Sequence, residues 1–192
     1  SGFVVAYPDG SGPVKRILTW NAGNCCCYAR KHGVDDVAFI AALIDRLIAS
    51  HDIDPKRVFV TGISNGATMS YRLAAQIPER VSAIAEIAGG LAIDVSHVRF
   101  SVPVIHFYGT VDEYVPISGG RGEKTSKGVV HRALNEMIAT WVKVNRASTT
   151  PIVEALPNLH DDGTSVVRKR YDAGMADVVL YVIEGGGHTW PG

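Results

Sequence analysis

Gly62-Ile63-Ser64-Asn65-Gly66 follows an apolar run, Val58-Phe59-Val60, and precedes a stretch of helical period. A serine on so tight a turn projects its hydroxyl clear of the backbone, with glycines on either side leaving room for neighbouring chain. That hydroxyl is a poor nucleophile until a base removes its proton, so it needs a histidine and a carboxylate to orient the ring. Asp112, in Gly109-Thr110-Val111-Asp112, and His188, in Gly185-Gly186-Gly187-His188, each follow a β-forming run. Loops leaving the carboxyl ends of neighbouring parallel strands would carry all three side chains to one edge of a sheet.

Alternatives compete at each position. A serine at such a turn can simply cap a helix; the phosphate-loop pattern G-x-x-x-x-G-K-[ST] is absent. Glu113 competes with Asp112, and the short turn starting at Gly109 suits aspartate. His32, His51, His97, His106, His131 and His160 fall in helices, loops or a buried strand, and His106 reads as a core residue. Only His188 follows a strand through glycines. The order Ser, Asp, His is that of α/β-hydrolases. Asn65, opening the helix, would offer its N–H to a developing oxyanion.

The elements expected to position these residues alternate. Strands are predicted at Phe3–Tyr7, Arg57–Thr61, Val81–Ala88, Pro103–Tyr108, Thr164–Tyr171 and Val178–Ile183. Helices are predicted from Val37 to about Ile48, from the Ser64 turn to about Gln76, and from Val129 to Val144, with Asp35 and Asp36 at the first helix's positive end. The pattern is α/β: one domain over residues 1–192, with a mostly parallel sheet and helices on both faces. Residues 117–128 read as a surface insertion or a lid.

Lys plus Arg and Asp plus Glu balance at 19 each, so no summed positive field draws nucleic acid or anionic lipid. No apolar run reaches bilayer-spanning length, and the first residues lack the basic-then-apolar layout of a signal peptide. All three cysteines are adjacent, Cys25, Cys26 and Cys27, which suits neither tetrahedral zinc nor a C-x-x-C redox pair.

Six blocks, "FVVAYPDG", "WNAGNCC", "VDDVAFIAALID", "VFVTGISNGATMSYRLA", "FYGTVDEYVPISGG" and "IEGGGHTWPG", resemble in order the α/β-hydrolase esterases grouped as poly(3-hydroxybutyrate) depolymerases and feruloyl esterases of carbohydrate esterase family 1. The resemblance implies a serine esterase with Ser64 as nucleophile, Asp112 as orienting acid and His188 as base, needing no metal or cofactor. Feruloyl, acetyl-type and hydroxyalkanoate esters are the implied substrates, small or polymeric. Trp20 and Trp190 are implied as rim residues, with Cys25 and Cys26 in the pocket wall and Cys27 where the family has glycine. The two paired cysteines either share a strained adjacent-residue disulfide or remain thiols. The family is secreted or periplasmic.

Two departures stand out. Family members carry, before the first block, a strand ending in a His-Gly loop that supplies half of the oxyanion hole. This chain starts after it, which leads to the expectation of an N-terminally truncated hydrolase, or of a homodimer partner or a rearranged strand filling the gap. Loss of one oxyanion donor costs about a hundred- to a thousandfold in turnover, so a weak or inactive domain that only binds a ligand or partner is the alternative. The second departure is a family disulfide, whose positions are held here by Asn145-Arg146-Ala147 and Ala173.

Overall fold

The computed structural model describes residues 2–125 and 128–191. In chain order the elements are β1 (Ser11–Val14), β2 (Ile17–Thr19), α1 (Cys27–Lys31), α2 (Asp36–Ser50), β3 (Phe59–Ile63), α3 (Asn65–Gln76), β4 (Ala83–Ile87), β5 (Val104–Gly109), α4 (Leu134–Val144), β6 (Ile152–Ala155), β7 (Ser165–Tyr171) and β8 (Val178–Glu184). The apolar runs expected as interior strands pair into a six-stranded sheet, ordered β3-β4-β5-β8-β7-β6. β3, β4, β5 and β8 run parallel, and β7 and β6 complete the sheet antiparallel. The expected α/β architecture with a mostly parallel sheet is therefore present, but the helices expected on both faces pack on one, since α2, α3 and α4 share a single core.

The pleat sorts the strand residues by face. Val60, Ile84, Val104, Leu180 and Val182 share a core with Ile40 and Ile44 of α2, Tyr71 and Leu73 of α3 and Trp141 of α4. Phe59 and Ile105 point to the opposite face and stay exposed, while Phe107 stacks on Tyr181 there at 4.7 Å. Asp35 caps α2, its side chain accepting the Ala38 N–H at 3.0 Å. No helix among the described residues is long and apolar enough to cross a membrane.

Three boundaries differ from expectation. Phe3–Tyr7 is not a strand: it pairs with no described strand, and Phe3, Val4, Val5 and Tyr7 stay exposed. A small antiparallel hairpin, β1 with β2, follows it instead. The strand expected at Arg57–Thr61 is shifted two residues onward to Phe59–Ile63. The last helix starts at Leu134 rather than Val129, because His131 is held in an antiparallel bridge to Gly120. Of the 117–128 segment, Ser126 and Lys127 lie outside the described residues. At the positions of the family disulfide, hydrogen bonds join the loops: Ser148 N–H to Asp172 O at 2.7 Å and Met175 N–H to Asn145 O at 2.7 Å.

Candidate active site

The turn between β3 and α3 holds Ser64 at φ +57°, ψ −118°, a left-handed conformation that an L residue adopts only under constraint. The constraint is visible. Ser64 N–H donates to Ile87 O of β4 at 2.9 Å, and Thr68 N–H and Oγ1 both donate to Ser64 O at 3.0 Å. Gly62 is required, since a Cβ there would lie 2.6 Å from the Gly66 carbonyl carbon. Gly66 is not, as nothing lies within 4 Å of its Cβ position, so the steric reason expected at both glycines applies to one.

Asn65, as the first residue of α3, has a backbone N–H with no intrahelical acceptor. Its side chain is committed elsewhere: Oδ1 accepts the Trp20 N–H at 2.7 Å and Nδ2 donates to Trp20 O at 3.0 Å. This clasp ties the 20–29 loop to the Ser64 turn. Deeper anchoring comes from buried Asp36, which accepts the Asn21 N–H at 2.6 Å, and from Arg72, which donates to Asn21 O. Burial raises the Asp36 carboxyl, and the Asn21 hydrogen bond and Arg72 charge offset only part of that.

Asp112 and His188 arrive from β5 and β8, neighbours in the sheet. Their loops touch backbone to backbone: a Cβ on Gly109 would lie 2.3 Å from Gly186 O. Thr110 N–H donates to Ile183 O at 3.0 Å, Val111 N–H to Gly186 O at 3.0 Å, and Gly185 N–H to Thr110 Oγ1 at 3.0 Å. The result is a His188 Nδ1 to Asp112 Oδ2 hydrogen bond of 2.8 Å. Asp112 Oδ1 accepts the N–H groups of Tyr114 and Val115, each at 2.8 Å. Burial alone would raise the Asp112 carboxyl, but the bonds from His188, Val115 and Tyr114 outweigh it and hold it below the ordinary value. Tyr114 covers the His188 ring at a centroid distance of 4.7 Å. Ser64 Oγ has no hydrogen bond to His188 among the described residues, a looseness common in unliganded sites.

The remaining expected residues divide. Trp20 lies against Asn65 and stacks on Phe39 at 6.3 Å, and buried Cys25 lies 4.0 Å from Asn65 Nδ2 through its sulfur. The sulfurs of Cys25 and Cys26 are brought together, the placement that an adjacent-residue disulfide requires. Cys27 is exposed with φ +44°, so the turn takes the positive φ that a glycine would favour there. Trp190, two residues past His188, is half-exposed. One neighbour was passed over in the sequence: His131 lies close enough to Asp112 and His188 to feel both charges. Its only advance signal was its place at the end of the loop that begins with Asp112. Among the described residues no three His, Cys, Asp or Glu side chains gather as metal ligands.

Residues 30–144 match the family model described as Phospholipase/Carboxylesterase. The putative esterase NocK of Nocardia uniformis subsp. tsuyamanensis is 32% identical over all of this chain and 58% of its own length. Feruloyl esterase B of Piromyces equi is 28% identical over 98% of this chain and 34% of its own. The chain thus spans about three-fifths or less of these relatives. An acetyl xylan esterase from Aspergillus awamori shares the fold, with TM-score 0.61 at 17% identity over 90% of this chain and 67% of that one. With the strand order and the Ser64 turn in hand, the chain belongs to the phospholipase/carboxylesterase family of α/β-hydrolases.

Proposed function

We propose that the chain hydrolyses carboxylic esters through an acyl-enzyme on Ser64. The observation that carries the reading is the 2.8 Å bond from His188 Nδ1 to Asp112, on the same sheet edge as the strained Ser64 turn. With the Nδ1 proton engaged by the carboxylate, Nε2 is left as a base. It takes the Ser64 proton as Oγ bonds to the ester carbonyl carbon, and the carbonyl oxygen becomes an oxyanion facing the Asn65 N–H. The imidazolium then protonates the departing alcohol as the C–O bond breaks. Water attacks the acyl-enzyme, giving its proton to the same nitrogen, which passes it to Ser64 Oγ as the acyl–Oγ bond breaks and the carboxylic acid is released.

The substrate class is an ester of feruloyl, acetyl or hydroxyalkanoate type, a reading that follows the family resemblance and is supported for feruloyl esters by the relative of that name. Trp20, Cys25 and Cys26 form the wall beside Asn65, and Trp190 the rim beyond His188. The test is hydrolysis of p-nitrophenyl acetate together with fluorophosphonate labelling, in wild type and Ser64→Ala. Labelling and turnover that both vanish in the variant support the mechanism. A folded wild-type protein that neither turns over nor labels assigns the chain to the binding-only alternative.

The outer edge of β3 has no strand partner among the described residues, and Phe59 on it is 57% exposed. An uncovered edge templates pairing, so we assign a homodimer joined there. Sedimentation at micromolar concentration should give twice the chain mass; a monomer refutes the assignment.

A further inference from the structure

We propose that His131 determines substrate specificity, its imidazole hydrogen-bonding an oxygen that the substrate carries within a few bonds of the scissile ester. The proposal rests on the esterase reading above and adds to it a residue outside the Ser64, Asp112 and His188 set.

The placement of His131 is a backbone matter. Gly120 N–H donates to His131 O at 2.8 Å and His131 N–H to Gly120 O at 2.7 Å. Gly119 and Gly120, at φ +75° and +85°, turn the chain into that bridge. The loop is thereby pinned at both ends of the site: it starts with Asp112, covers His188 with Tyr114, and brings His131 back. The ring comes to rest on Gly90, where an added Cβ would lie 3.0 Å from His131 Nδ1 and would meet only atoms of that ring. Gly90 belongs to the floor of the nucleophile turn, since its N–H donates to Thr68 Oγ1 at 3.2 Å and Thr68 bonds to Ser64 O. His131 therefore stands over the segment that joins Ser64 to the Asp112–His188 pair.

Its chemistry suits a reader of substrate oxygens. The ring makes no hydrogen bond with any described residue, yet neither nitrogen is sealed from solvent. Burial lowers its proton affinity, Asp112 pulls it upward and His188 downward, and the net is a lowered value. At neutral pH the ring is then uncharged, with one donor and one acceptor. A hydroxyl can meet either nitrogen and a carbonyl can meet the N–H. A site built to bond such a group penalises the analogue without it, because the ring nitrogen that bound substrate shuts off from water is left unpaired.

The experiment compares ethyl butyrate with ethyl 3-hydroxybutyrate, which adds a hydroxyl on the acyl side, and with 2-hydroxyethyl butyrate, which adds one on the alcohol side. Wild-type protein should prefer at least one hydroxy ester by roughly tenfold in kcat/KM, expressed mainly in KM. His131→Ala should erase that preference and His131→Asn should restore part of it. Loss on the acyl arm or on the alcohol arm identifies which side the ring reads. A preference that survives in His131→Ala, no wild-type preference on either arm, or an equal fall on all three esters overturns the proposal. Fluorophosphonate labelling of Ser64 runs in parallel. Absent labelling with no hydrolysis of any ester would fault the esterase reading itself, whereas intact labelling with an unchanged preference faults only the role of His131.

Discussion

Two carboxylate–histidine neighbourhoods sit on the same sheet and reach opposite states. Asp112 and His188, on loops, share a 2.8 Å hydrogen bond, and the carboxylate is further held by two backbone N–H groups. Glu86 and His106 are register partners on β4 and β5, wholly buried beneath α3. Tyr71 OH lies 2.6 Å from His106 Nδ1, and Tyr71 stacks on both His106 and Trp141. Yet both Glu86 oxygens, His106 Nε2 and Trp141 Nε1 have no partner among the described residues. Burial pushes Glu86 well above its ordinary 4.5 and lowers His106 to about 3. The difference teaches that proximity of a carboxyl and an imidazole does not make an ionised pair. Hydrogen bonds to the charged form decide it, and where they are missing desolvation keeps both groups neutral.

The largest expected contrast is in turnover. Asp112→Asn, which preserves shape but favours the wrong His188 tautomer, should lower kcat by about ten-thousandfold. Glu86→Gln, the same change in the buried neighbourhood, should leave kcat within about twofold in the same assay, since Glu86 touches neither Ser64 nor His188. Comparable losses in both variants would erase the distinction.

Stability should reverse the order. Glu86→Leu removes an unpartnered buried carboxyl and should stabilise the fold at pH 7 by about 1–3 kcal/mol, read from urea midpoints. A destabilised variant would mean that the carboxyl is satisfied in solution.

The pH profile sharpens this further. The raised Glu86 value means that the folded chain holds a proton the unfolded chain releases, so stability falls as pH rises above 4.5. The depressed His106 value means that the unfolded chain gains a proton the folded chain refuses, so stability falls as pH drops from 6.5 toward 3. Between 4.5 and 6.5 the two slopes oppose, leaving these groups' combined contribution nearly flat. Thermal scans from pH 3 to 9 should therefore show a decline on each side. Glu86→Leu should remove the alkaline decline and keep the acid one; loss of both together would tie the groups into a single ionised pair.

The smallest effect is expected at Tyr114. Truncation to Ala uncovers the His188 ring and removes a contact worth about 0.5–1.5 kcal/mol, so kcat should fall by about two- to tenfold with the Asp112 bond retained. An unchanged kcat would make the stacking incidental.

The Ser64 turn and the Asp112 and His188 loops were legible in the sequence because each depends on short-range chemistry: a glycine-framed serine between strand and helix, and two loop residues just past apolar strands. The interior strands were legible for a similar reason, being continuous apolar runs. β6 was not, since all four of its residues are exposed and show no alternation. The hairpin was hidden by its glycines, which read as loop. Gly12 nonetheless packs so closely on β2 that a Cβ would overlap Ile17 O at 1.8 Å. His131 was hidden because its role depends on a bridge to Gly120 across an irregular loop, a long-range pairing with no periodic trace. The state of the three cysteines waited on the φ of Cys27 and the packing of Cys25, both properties of the folded loop.

The backbone contact between Gly109 and Gly186 also bears on where this molecule can vary. Asp112 and His188, 76 apart in sequence, are tied there into one rigid fitting, with no space for a side chain on Gly109. An insertion or a larger residue on either side would be transmitted directly to the Asp112–His188 bond. Tailoring toward a new ester is therefore best directed at the 20–29 and 113–133 loops, which border the site without forming that joint. A library confined to them should retain folded, labelled protein far more often than one that reaches into 109–112 or 185–188.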